Sequence, residues 1–286
     1  MKLSGQNFKI VDALKIWVII WLLILPLQGC GILMPRTSAL RQIHRSYQGE
    51  FVANLPNLPG SRDAATSAAP MTANAKQPFA ETLRQIGLYR QKHDGNEVDL
   101  AHLLVLEGMI LLQTSRFEEA RQLEPRITEA SRTLVRAKGA LTRDALYAIH
   151  FKDLLNGWSV IHQPRAPEIA DILKRAALAI DNSLAEIAKS NPSQQSVAVD
   201  PDDARLYIAT AGAIFYHHVG QILSYDDRKM IKEGCLKARD IMATYLSDDE
   251  KEWATNDSSK APVHRQRYLQ FYSFFASEKC FLKPSR

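Results

Sequence analysis

Catalytic signatures are missing from this sequence. It contains no Gly-x-Ser-x-Gly nucleophile elbow and no Gly-x-x-x-x-Gly-Lys-[Ser/Thr] phosphate loop. Gly-x-Gly-x-x-Gly and His-Glu-x-x-His are absent as well, so no common hydrolase, nucleotide or zinc-protease chemistry announces itself. Cysteine is scarce, with three in 286 residues, which excludes a disulfide-dense scaffold and a four-cysteine zinc site. Charge of one sign is lacking too. There are 36 Lys and Arg against 31 Asp and Glu, which leaves no electrostatic footprint for nucleic acid. No run alternates with period two between hairpin turns, so strands are not expected.

What is present begins at the amino end. Lys2, Lys9 and Lys15 precede an apolar run from Ile16 to Leu27, the length of a signal-peptide core and short for a membrane span. Leu27-Gln28-Gly29-Cys30 follows at once and resembles the bacterial lipobox, with Gln28 a departure from the usual small residue. The resemblance to bacterial lipoproteins implies removal of residues 1–29 as signal peptide and acylation of Cys30, with palmitate among the attached chains. Two or three acyl chains hold a protein at a bilayer where one holds only marginally. Gly31 stands where an Asp would resemble an inner-membrane retention signal. The expected place is therefore the periplasmic face of an outer membrane. The alternative is an uncleaved single-span inner-membrane anchor over residues 16–34, weakened by Pro26 and two glycines. Without the leader, 257 residues remain, carrying 33 basic and 30 acidic side chains, an ordinary globular balance.

With Cys30 assigned to lipid, Cys235 and Cys280 are left. They either form a disulfide, as suits an oxidising compartment, or stay as two buried thiols.

Residues 30–78 read as a tether or arm. A short amphipathic helix with Leu40, Ile43 and Tyr47 on one side lies within it, before the Pro-, Ala- and Ser-rich stretch 54–78. Residues 79–286 read as one all-α domain of antiparallel helix pairs, a solenoid-like array or bundle. Asn96 is placed to cap an apolar helix through Gln113. Ser115 and Glu118 read as the N-cap and N3 of a capping box, in a helix that restarts at Pro125. A clean helical period runs through Ile169, Ile172, Leu173, Ala176, Ile180, Leu184 and Ile187. Leu104, Gly108, Leu111, Phe117 and Ala120 sit at the intervals of a tetratricopeptide repeat, and about 34 residues resemble that family. The likeness implies that Gly108 admits a partner helix while Phe117 and Ala120 fill the cleft of the pair.

Few residues invite chemistry. Asp202 and Asp203, Asp226 and Asp227, and Asp248, Asp249 and Glu250 all fall in expected first turns, where free N–H groups favour carboxylates. Glu107, inside an apolar helix, suggests a salt bridge or an exposed edge. His217 and His218 point about 100 degrees apart on a helix and do not suit one metal. Tyr268, Phe271, Tyr272 and Phe275 form a stripe at helical spacing, the mark of a core face. No cofactor, metal or catalytic residue is expected. The expected role is a lipid-anchored, periplasm-facing scaffold binding a protein of an envelope assembly. The alternative is a small-molecule-binding accessory, similar in broad design to the T-component of TRAP transporters, with an envelope enzyme third.

Overall fold

In the computed structural model, the described residues are 35–53, 79–92, 96–138, 141–190, 201–223 and 228–281. They form ten α-helices and no strand. The helices are α1 (Pro35–Ala53), α2 (Ala80–Lys92), α3 (Glu97–Gln113), α4 (Phe117–Lys138) and α5 (Arg143–Val160). They continue as α6 (Pro167–Ser190), α7 (Pro201–Leu223), α8 (Arg228–Ala243), α9 (Asp248–Asn256) and α10 (Val263–Ala276).

Two kinds of helix alternate from α3 to α8. In α4, α6 and α8 the apolar residues keep to one stripe, so one face must meet water. In α3 and α5 they lie nearly all round, and α7 is buried along most of its length. Helices of the second kind need cover on several sides, and the packing supplies it. Each helix from α3 to α8 packs on its neighbours in sequence, and α3 also meets α5 while α5 meets α7. An inner row, α3–α5–α7, therefore lies behind an outer row, α4–α6–α8. The expected array of antiparallel pairs is the fold.

Local chemistry fixes the helix starts. The Asn96 side chain accepts from the Val98 and Asp99 amides, and Thr142 Oγ1 accepts from the Ala145 amide. Ser247 and Glu250 form a reciprocal capping box at α9. Ser115 differs from the expected cap. Its φ is 58°, and it is the left-handed residue that ends α3, with Arg116 N–H donating to Leu111 O and Ser115 N–H to Leu112 O. That is the place a turn glycine would take. α4 then runs unbroken through Pro125 rather than restarting there. Pro125 is exposed, so the helix gives up a hydrogen bond on its wet side, where water can replace it.

α1 packs against the helices that follow residue 78. Ile43 and Tyr47 are buried in the common core, and Thr82 of α2 donates to Glu50 of α1 at 2.5 Å. Residues 35–53 thus pack with the helical body. Residues 54–78, the expected signal segment over 1–29 and Cys30 lie outside the described residues. Among those described, no helix is long and apolar enough to cross a membrane.

Gly108 and Gly157 set how closely the inner row packs. A Cβ on Gly108 would meet Ile127 of α4 at 2.4 Å and Phe151 of α5 at 2.8 Å. Leu104, Leu111 and Ala120 are buried and Phe117 packs at the edge of the core. On Gly157 a Cβ would fall 2.1 Å from the ring of Phe215, which is fully buried and lies edge-on to Trp158. Gly157→Ala is expected to destabilise the protein by about 1–3 kcal/mol through overpacking, although alanine is the better helix former. Thermal unfolding with and without Phe215→Leu checks this. The second substitution should return most of the loss if the clash is the cause.

Cys235 of α8 and Cys280 of a 3-10 turn (Glu278–Phe281) are joined as a disulfide, Cα–Cα 6.1 Å. The bond ties the C-terminal turn to the outer row.

Candidate functional site

Seven of the ten helices carry a carboxylate at their second or third position, and in four of them one such carboxylate is buried: Asp99 in α3, Asp144 in α5, Asp203 in α7 and Glu250 in α9. A first-turn carboxylate answers the local amides, which is what the sequence suggests for Asp203 and Glu250. Burial asks for more, because a buried charge is costly unless paired. Each of the four has a partner from another element. Tyr89 of α2 donates its hydroxyl to Asp99 at 2.6 Å. Arg265 of α10 bridges Asp203 (Nη1, 2.6 Å) and Glu250 (Nε, 2.7 Å), and His264 lies 3.5 Å from Asp203. Burial opposes the Arg265 charge, yet its bonds to Glu250 and Asp203 hold it above the ordinary arginine value. The same contacts with Arg265 and Ser247 keep Glu250 below the usual carboxylate range against the effect of burial.

Asp144 has the most concentrated surroundings. Its Oδ2 is 2.5 Å from His102 Nδ1 of α3 and 3.1 Å from His44 Nε2 of α1. The two imidazole rings lie edge to face, 5.9 Å apart. Arg143 Nε stands 4.0 Å from the other oxygen, Oδ1. Burial by itself would raise the Asp144 pKa, but the neighbouring His44 and the hydrogen bond from His102 overcome it and hold the carboxyl well below its usual range. Around this end of the inner row, Tyr47, Tyr147, Tyr207 and Tyr268 are all buried, and burial pushes their phenols up. Two imidazoles on one carboxylate can orient a general base, relay a proton or ligate a metal.

The residues singled out in the sequence fall elsewhere. Glu107 is half-exposed and pairs with Arg90 at 2.9 Å, so it joins no histidine. His217 is buried against Phe274 and Phe275, with Nδ1 3.7 Å from Cys235 Sγ and 3.5 Å from Cys280 Sγ. Two sulfurs bonded to each other offer no thiolate, so this trio holds no metal as it stands. Tyr268, Phe271 and Phe275 are core and Tyr272 is half-buried against it. Asp226 and Asp227 lie outside the described residues.

His44, His102 and Asp144 escape a sequence reading because they come from three helices. The one available signal was His102, a polar residue set in the apolar run LAHLLVLEG.

At the surface, α1 and α2 enclose a groove of about 270 Å³. Ala39, Ile43, Leu88 and Tyr89 supply apolar walls, while Arg84 and Lys92 supply charge. Leu88 is 43% exposed there, large for a leucine on a packed helix. A second cleft, about 480 Å³, is lined by Arg121, Asp153, Asn156 and Arg175 among others and is of mixed charge.

Compared with known proteins, the chain matches no family model, no curated protein and no solved structure.

Proposed function

We propose that this chain is a lipid-anchored, periplasm-facing scaffold of the outer membrane that binds a partner protein of an envelope assembly. The observation that carries the reading is the groove between α1 and α2. It has apolar walls, an exposed leucine, and Lys92 and the Arg84–Glu81 ion pair at its rim, the features with which a groove takes the apolar face of an amphipathic helix. α1 begins five residues after Cys30, a stretch of chain no longer than about 17 Å. With Cys30 acylated, the groove would sit close to the bilayer, where a membrane assembly presents its helices.

The test is affinity capture from detergent-solubilised membranes with the mature protein and with Leu88→Asp. A stoichiometric partner recovered by the first, and reduced about tenfold or more with the second, is expected. Equal recovery by both, or no stoichiometric partner, overturns the reading. Fatty-acid labelling that persists in Cys30→Ala refutes the anchor independently.

A solute-binding accessory is the second reading, favoured by the buried tyrosines gathered near Arg143 and Asp144. An organic acid retained in native mass spectrometry of the purified protein would decide for it.

A further inference from the structure

The scaffold reading leaves His44, His102 and Asp144 without a task. We infer that these residues form a binding site for one divalent transition-metal ion, zinc in the first instance, with His44 Nε2, His102 Nδ1 and Asp144 Oδ2 as ligands. This is independent of what the α1–α2 groove binds.

One ligand atom from each residue lies within 4.8 Å of the other two. Ligands at about 2.0–2.2 Å from a tetrahedral zinc stand about 3.3 Å from one another. The His44–Asp144 edge, at 3.1 Å, is already near that spacing, and the His102–Asp144 edge, at 2.5 Å, has to open by about 0.8 Å. All three ligand atoms sit at the ends of side chains, so the edge is opened by side-chain rotation. Two imidazoles and one carboxylate are the borderline donor set that suits zinc. Calcium and magnesium take oxygen cages instead. Three protein ligands also leave a fourth position open, as in catalytic rather than structural zinc sites.

Asp144 Oδ1 and His44 Nδ1 are buried and have no hydrogen-bond partner among the described residues. Buried polar capacity left unused by the protein points to an ion or ordered water nearby. Arg143, on the Oδ1 side, leaves Oδ2 as the ligating oxygen. Its charge opposes a cation and sets the affinity below that of an all-neutral shell. Because His44 belongs to α1 and the other two ligands to α3 and α5, the ion would also clip the membrane-proximal helix to the inner row.

The experiment uses detergent-extracted, untagged mature protein. Calorimetric titration with Zn²⁺ should show one equivalent bound and a raised unfolding temperature. Co²⁺ substitution should give the visible d–d absorption of a tetrahedral site, without sulfur-to-cobalt charge transfer. His44→Gln and His102→Gln should each weaken binding about tenfold or more while helix content stays the same. No binding by the wild-type protein overturns the proposal, as does undiminished binding in both variants. A thiolate charge-transfer band also overturns it, by placing the ion at His217, Cys235 and Cys280. If the variants fail to fold, the cobalt spectrum of the wild-type protein decides alone.

Discussion

Asp144→Ala is expected to lower stability by about 3–5 kcal/mol, enough to bring the unfolding temperature down by about 10 °C or more. The carboxylate is 2% exposed and is the common acceptor for His102 and His44, with Arg143 beside it. Truncation removes the acceptor that His102 and His44 share, in a largely buried site. A cavity adds to the loss. Asp144→Asn keeps the volume and one acceptor oxygen but loses the charge, so it should cost less. Thermal or urea unfolding of both variants tests this, and equal stability of Asp144→Ala and wild type would show the cluster to be energetically idle. The pH dependence follows from the direction of the shift. The folded Asp144 pKa lies below its unfolded value, so its contribution is complete above about pH 4 and is lost as the pH falls through the folded value.

A larger pH effect sits higher on the scale. Burial lowers the pKa of His150 to about 4, of His217 to about 3 and of His218 to about 4, with His218 adding to the shift at His217. His217 is enclosed by Phe274, Phe275 and the disulfide, and its Nε2 meets the side-chain amide of Gln221 at 2.9 Å. These are neutral imidazoles in apolar surroundings. In the unfolded chain they take protons near pH 6.5, while in the folded chain they resist until about pH 4 or below. Their stabilising effect is therefore complete above about pH 6.5 and is lost progressively as the pH falls from there toward the folded values. Each contributes a slope of up to about 1.4 kcal/mol per pH unit, so stability should fall by several kcal/mol between about pH 6.5 and pH 4. Urea midpoints across that range measure the slope, and His217→Gln or His218→Gln should flatten it by about a third. A midpoint that holds steady or rises from pH 7 to pH 4.5 would rule the effect out.

Much of the fold is legible residue by residue. Asn96, Thr142 and Ser247 each take up the amides of the turn that follows, and Pro201 opens α7 as an N1 proline does. The strict period from Ile169 to Ile187 marks α6 as an outer helix, while the apolar run from Leu103 to Leu112 marks α3 as an inner one. Ser115 was open to two readings. Its sequence context fits a capping box, but the end of α3 claimed it first as a left-handed terminator. Pro125 breaks helices in principle, yet on a wet face with α3 and α5 holding the rest of α4, the lost bond is outweighed.

The sequence alone determined the helices, their ends and which of them carry an apolar stripe, because helical period and end-capping act within about four residues and are visible in any short window. It also carried the apolar run Ile16 to Leu27 and the Leu27-Gln28-Gly29-Cys30 motif, which are matters of order along the chain. Only the tertiary structure decided which polar groups share a buried site. His102 and Asp144 are 42 residues apart, and Asp203 and Arg265 are 62 apart. No local rule brings them together. They meet because α3, α5 and α7 stack with their first turns at one end, and a carboxylate buried there has to draw its partner from whichever helix the packing sets beside it.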